Sequence, residues 1–277
     1  MRSSLLDFNP PAFRPRARFA APSARVGISD RGVRMFRSSE EISPALALWQ
    51  ALRDCPDLRC RFSTGVGFLI GGGPLIPAHV CRPGDAAVLA VHTGAWAGVN
   101  VASYLGRPAL HVLSAEGMMF LRATPGPALS PARWAACLRL AEALPVTLRA
   151  EPADPLSPPA PARAAGGRAL PLFWRNLANI GLGCVVTLNS AGMRSRFPLR
   201  TAHVACDGGR LLVTAQDGFV LHVELGAVAG VRRESDGALV LLDEAGREAM
   251  VLRPFADGAW ACAKTWAAVS RHHFPRR

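Results

Sequence analysis

Lysine and tyrosine are nearly missing from this chain. Lys264 is the only lysine among 32 basic residues, and 277 positions hold one tyrosine. Arginine therefore carries the formal charge of +12, and its planar fork suits carboxylates and phosphates. About half of the excess lies in residues 1–37, with eight Arg against two Asp. A basic arm for a polyanion is one reading of that stretch. No basic run is interleaved with aromatics, so nucleic acid is not the expected partner.

Other absences narrow the function further. No apolar run approaches the ~18 residues of a spanning helix, so membrane insertion is not expected. The start, "MRSSLLDFNPPAFRPRARFAAPSAR", lacks the apolar core and small-residue cleavage site of a secretory signal. It reads as a flexible basic leader over 1–25, with a cytoplasmic location expected. The seven cysteines form no C-x-x-C pair, which removes zinc knuckles and thioredoxin-like motifs. They are expected as reduced, packed thiols. Neither G-x-S-x-G nor H-E-x-x-H occurs, and carboxylates are sparse. "GFLIGGGPL" (67–75) lacks the Lys-Ser/Thr of a phosphate loop and reads as a flexible connector. Whether the protein is an enzyme stays open, with binding the more natural role.

What the chain does contain is self-similarity. "PLIPAHV" at 74–80 returns as "PLRTAHV" at 198–204, 124 positions later. Extending both gives "LRCRFSTGVGFLIGGGPLIPAHV" (58–80) against "LGCVVTLNSAGMRSRFPLRTAHV" (182–204), without a gap. Identical positions include Cys60/Cys184, Pro74/Pro198, His79/His203 and Val80/Val204. Trp49/Trp174, Cys81/Cys206 and Cys137/Cys262 continue the series at 125. A two-copy repeat implies a tandem duplication. Residues 151–167, within "EPADPLSPPAPARAAGGR", have linker composition. The expected organisation is a first repeat over 26–150 and a second over 168–277.

Each copy shows the same order of signals. "ISPALALWQALRDC" (42–55) places Leu46, Trp49 and Leu52 on a helical face, and "LPLFWRNLANI" repeats the pattern. In the second copy "RLLVTAQ" and "FVLHVEL" flank Asp217-Gly218, while "VAGVRRE" and "ALVLLDE" flank Asp236-Gly237, both hairpin dipeptides. A further turn at Ala245-Gly246 leads into "EAMVLRP". "VLAVHTG", "AGVNVAS", "ALHVLSAEG" and "MMFLRAT" match these in the first copy. Trp-bearing helices close the copies at 130–144 and 258–273. The fold class is α+β: two tandem repeats, each an antiparallel meander with flanking helices.

In the second copy, "VVTLNSAGMRSRF" (185–197) and "LHVELGAVAGVRRESDGALVLLDEAGREAMVLRP" (221–254) resemble the haem-utilisation family that includes the haemin-degrading HemS and ChuX proteins. The matching positions are Thr187, Leu188 and Asn189, then Val231, Arg232, Asp236, Gly237, Leu241, Asp243 and Gly246. The resemblance covers about residues 170–270, and the first copy only through the repeat. Larger family members are also tandem duplications. It implies haem held in a cleft between sheet and helices, for transfer to a protein acceptor or for breakdown. A module of the same fold that has lost haem is the alternative. In the tandem members the ligand histidine sits in the helical segment entering the second copy. Here that segment, "LPLFWRNLANIGLG", has none.

Haem iron needs an axial donor and cations near its propionates. The replacement candidates are His203 as the metal ligand, its repeat partner His79, and His222, with Arg196 and Arg200 for the carboxylates. His79 and His203 also read as strand-end residues held by hydrogen bonds. His92, His111 and His222 fall in strands, where a core or sheet-surface histidine is the plainer account. His272 and His273 are expected to be solvated. Met118, Met119 and Met193 offer thioethers but read as packing, and Arg194, Arg196 and Arg200 also read as a solvated basic loop.

Overall fold

Serine followed by proline starts two of the helices. Ser43 Oγ accepts from Leu46 N and Ser130 Oγ from Arg133 N, each at 3.3 Å, with proline at the first helical position. The computed structural model describes residues 43–73, 88–91, 93–144, 165–190, 192–216, 218–255 and 260–275. His79, His92, Cys81 and most of the expected linker lie outside them.

The first half runs α1 (Pro44–Arg53), β1 (Leu58–Thr64), β2 (Gly67–Gly73), β3 (Val88–Val91), β4 (Trp96–Tyr104), β5 (Arg107–Ser114), β6 (Met119–Pro125) and α2 (Pro131–Glu142). The second runs α3 (Ala165–Asn179), β7 (Cys184–Ser190), β8 (Met193–Leu199), β9 (Thr201–Asp207), β10 (Arg210–Ala215) and β11 (Val220–Glu224). It ends with β12 (Gly230–Arg233), β13 (Leu239–Leu242), β14 (Glu248–Pro254) and α4 (Trp260–His273). The expected α+β class holds, with two antiparallel sheets and flanking helices.

The two sheets repeat one strand order and exchange one strand. The eight-stranded sheet reads β4-β5-β6-β1-β2-β11 before continuing into β10-β9, and the six-stranded sheet reads β12-β13-β14-β7-β8-β3. Thus β11 of the second half completes the first half's sheet, and β3 of the first half completes the second's. The strand run of the second half is accordingly divided, with β9–β11 in one sheet and β12–β14 in the other. Phe62, Phe197 and Phe219 fill the junction between the sheets, with centroids 5.1 and 5.3 Å apart.

The hairpins place the repeat more finely than the phrases do. Thr64↔Gly67 and Ser190↔Met193 close equivalent turns 126 positions apart, not 124. A shift of two keeps every side chain on its face of the sheet. It also separates the cysteine pairs: Cys60 corresponds to Val186, and Leu58 to Cys184, since these last two face Pro125 and Pro254. The closing helices start at Pro131 and Trp260, which puts Cys137 opposite Trp266 instead of Cys262.

Several local expectations change. The buried stripe of α1 is Ala45, Leu48 and Leu52, with Leu46 exposed. Helix α3 begins at Ala165, inside the expected linker, and passes through Pro171 because Leu170, Phe173, Trp174 and Leu177 anchor it in the core. Residues 67–73 are strand, not connector. A Cβ at Gly67 would lie 2.1 Å from the His222 carbonyl oxygen, and one at Gly71 would lie 2.2 Å from the Phe219 ring. Glycine there lets two strands approach, so the run serves packing rather than flexibility. The expected turns at 236–237 and 245–246 hold, and Gly237 and Gly246 have positive φ, as does Gly218; Asp217 lies outside the described residues.

Candidate functional site

Strand β1, "LRCRFST", alternates apolar and polar residues, so Cys60 and Phe62 face the core while Arg59, Arg61 and Ser63 share the outer face. Pairing carries that face across the whole eight-stranded sheet. One row runs His203, Thr214, Val220, Ile70, Arg61, Arg122, His111, Asn100. The neighbouring row includes Leu212, His222, Phe68 and Ser63.

Two cation–aromatic stacks occupy this face. The Arg61 guanidinium lies 3.5 Å from the Phe68 ring centroid, and His222 stacks against Phe68 at 4.3 Å. Strand β2 lies between β1 and β11, so Phe68 is flanked on both sides. Arg122 lies over the Tyr104 ring, also at 3.5 Å. Arg61 Nε donates to Ser63 Oγ at 3.1 Å. Among the described residues no carboxylate pairs with Arg61 or Arg122. Burial, with the neighbouring Arg122, pulls the Arg61 pKa down to about 10, which leaves it charged at neutral pH. Arg210 on the same face is neutralised by Glu224 at 3.1 Å.

Burial, then the charges of Arg61 and Arg210, lower the His222 pKa to about 4. The imidazole is therefore neutral near pH 7, the form that ligates metals. Folding then disfavours protonation, so acid favours the unfolded chain. Above the ordinary value of 6.5 both states are neutral and nothing changes. Between 6.5 and about 4 only the unfolded state takes the proton, and stability falls as pH falls. Up to about 3 kcal/mol should be lost across that window. His222→Phe should flatten this part of a urea-denaturation pH series; an unchanged slope would assign the loss to other groups.

The structure brings together only part of the sequence-derived set. His203 and His222 share a face, two strands and one row apart, roughly 12 Å by strand geometry; His203 is exposed. Arg196 stands on β8 in the other sheet, paired with Thr187 and Val88. Arg200 follows β8 and lies 5.7 Å from the Phe255 ring centroid. His273 is half-buried: its Nε2 is 2.8 Å from Asn176 Nδ2, and its ring meets the edge of Phe173. Met193 is buried and Met118 exposed. Arg61, Phe68, Arg122 and Tyr104 were not among the candidates, although the alternation of β1 already put Arg61 on a polar face.

Hollows also lie elsewhere among the described residues. One of about 280 Å³ between strand turns is lined by Ser63, Ser114, Glu116, Met119, Asn189 and Asp243, among others. Asp243 there accepts from Ala245 N, Arg247 N and Arg247 Nε, all at 2.9 Å, so it holds its own turn. Another, about 380 Å³ on the six-stranded sheet, includes Arg194, Val240, Val251 and Arg253, with no histidine or aromatic ring among its described lining residues. Among the described residues no cluster of three metal-ligating groups occurs, and no helix is long and apolar enough to cross a membrane.

No protein-family model matches the sequence, and no curated protein is similar enough to count as a match. Solved structures do share its architecture. Escherichia coli ChuS, described as a heme oxygenase, is 14% identical with a TM-score of 0.58, over 80% of this chain and 85% of that one. A second structure, of the heme degrading enzyme ChuS from Escherichia coli O157:H7, is 15% identical with a TM-score of 0.59, over 80% and 83%. Apo-PhuS, a heme-binding protein from Pseudomonas aeruginosa, is 13% identical with a TM-score of 0.59, over 83% and 85%. At such identities the likeness concerns backbone architecture, and the chain has the ChuS and PhuS fold.

Proposed function

We propose that the protein binds a haem-type tetrapyrrole against the outer face of its eight-stranded sheet. In this reading His222 supplies the axial nitrogen, with His203 as the alternative donor, and Arg61 and Arg122 meet the carboxylates. The observation that carries it is the Arg61–Phe68–His222 stack beside Arg122–Tyr104. A neutral imidazole, aromatic rings and two cations that form no ion pair with a described carboxylate stand together there. Those groups fit haem, which presents a flat apolar body, an iron that takes imidazole, and anionic propionates. ChuS and PhuS, heme proteins by description, lend support through the shared fold. Arg196 stands on the six-stranded sheet and Arg200 in the loop that follows β8, so this reading gives the carboxylates to Arg61 and Arg122 first. The protein would act as a cytoplasmic carrier that holds haem for breakdown or hands it to a protein acceptor.

Haemin titration tests the reading. Saturable binding with a shifted Soret band is expected. His222→Ala should change the ligation spectrum, and the Arg61→Ala, Arg122→Ala double variant should weaken affinity roughly 10- to 100-fold. A flat, non-saturating titration would remove the proposal. It would leave the second reading, a scaffold or regulatory module without haem. One observation favours that reading: α3, "AGGRALPLFWRNLAN", carries no histidine and buries Leu170, Phe173, Trp174 and Leu177.

A further inference from the structure

Cys55 and Cys137 stand 82 residues apart in the chain, yet their Sγ atoms are 3.8 Å apart and both side chains are 2% exposed. Cys55 lies just past the end of α1, with its Sγ 3.2 Å from the Ala51 carbonyl oxygen. Cys137 sits on the buried stripe of α2 with Trp134 and Ala141. The duplication does not account for the pair. By the hairpin and helix positions, Gly181 and Trp266 occupy the matching places in the second half. The first half alone sets two small sulfur side chains face to face at a helix–helix contact.

A disulfide bond is about 2.05 Å long. Closing this pair takes under roughly 2 Å of sulfur movement, and Cys55 lies between α1 and β1, outside both regular elements. We propose that Cys55 and Cys137 are a redox pair that oxidises to a disulfide joining α1 to α2. With hydrogen peroxide as oxidant, the Cys55 thiolate attacks one peroxide oxygen and the O–O bond breaks. Cys55 becomes a sulfenic acid, and the departing hydroxide takes up the thiol's proton as water. The Cys137 sulfur then displaces hydroxide from the sulfenic sulfur, forming the S–S bond. The Cys137 proton leaves with that hydroxide as a second water. Two thiols lose two electrons in all, and one peroxide gains them.

The surroundings set the order. Burial raises both thiols, but the Cys137 contact and the Arg133 guanidinium act in the opposite direction on Cys55. Burial and Cys55 push Cys137 up to about 12. Cys55 is therefore the attacking group, and it reacts more slowly than an exposed thiol. Cys206 is exposed and serves as the internal standard.

The test uses the full chain under native conditions: peroxide treatment, alkylation, digestion without reductant and mass mapping. A linked Cys55–Cys137 peptide pair that separates on reduction is expected. Oxidised protein should also melt about 10 °C above reduced protein, as suits a closed loop of this length. In Cys137→Ser the rise should vanish. Cys55 and Cys137 recovered as separate free thiols after Cys206 has fully reacted, or Cys55 found bonded to Cys60, overturns the proposal. A melting rise that persists in Cys137→Ser overturns it too, and the wild-type map decides should that variant fold poorly.

Discussion

Replacing Gly67 by alanine is expected to cost about 3 kcal/mol or more, whereas Gly72→Ala on the same strand should change stability by less than about 0.5 kcal/mol. The difference lies in what each new methyl meets. At Gly67 it would approach the His222 carbonyl oxygen at 2.1 Å and Val223 Cα at 3.0 Å. Both are backbone atoms held in the β2–β11 ladder, and no side-chain rotation relieves the clash. At Gly72 nothing lies within 4 Å. Gly71→Ala should fall between, because the Phe219 ring it strikes can turn aside. Strand β11 belongs to the second half of the chain, so the Gly67 change parts the seam through which the halves share a sheet. Urea denaturation of the three variants measures the series. Equal losses at 67 and 72 would make the effect a general cost of alanine in this strand.

The same seam marks where sequence reading stops. The hairpin glycines Gly218, Gly237 and Gly246 were legible because a tight turn needs positive φ at a fixed place between two apolar runs. The helices closing each half were legible as Trp-bearing segments of helical composition. The α+β class followed from the order of those signals, and the duplication from the repeated phrases. The exchange of β3 and β11 was not legible. A strand's own pattern states which face is buried but not which neighbour it joins, and β11 looks the same beside β2 as beside β8. Gly67 and Gly71 did carry the information, since a glycine-rich strand admits close approach, but the same composition equally suits a connector. The phrase alignment at 124 also misled in detail. It matched Cys60 with Cys184, while the turns pair Cys60 with Val186.

The candidate site was legible only in its histidines. His203 and His222 were named separately, and their common face depends on a ladder through β9, β10 and β11. Arg61, Phe68, Arg122 and Tyr104 come from four strands scattered over 61 to 122. They become a cluster only once β4-β5-β6-β1-β2 is assembled. Arg196 and Arg200 drew attention as a local run of arginines. Arg196 lies on β8 and Arg200 just after it, and β8 pairs with β7 and β3 in the six-stranded sheet, so closeness in sequence did not set them beside Arg61.

Trp266→Ala should lower stability by about 3–5 kcal/mol, and Trp266→Phe by about 1–2 kcal/mol. Trp266 is buried on α4, and its Nε1 donates to the Gly237 carbonyl oxygen at 2.8 Å. Its ring meets the edge of Phe173 from α3 at 5.3 Å. One side chain therefore ties α4 to the β12–β13 turn and to α3. Phenylalanine would keep much of the packing but leave the Gly237 carbonyl without its donor in a buried place, where a missing bond costs more than an average bond contributes. Trp134 on α2 gives the comparison. It is also buried, yet its Nε1 has no hydrogen-bond partner among the described residues. Trp134→Phe removes an unpaired donor along with some volume, so it should cost less than Trp266→Phe. Thermal melts of both phenylalanine variants measure the contrast. Equal losses would mean that ring volume, not the bond to Gly237, sets the strength of the α4 anchor. The larger loss at 266 would place that strength in a contact to a turn whose backbone the glycine makes possible.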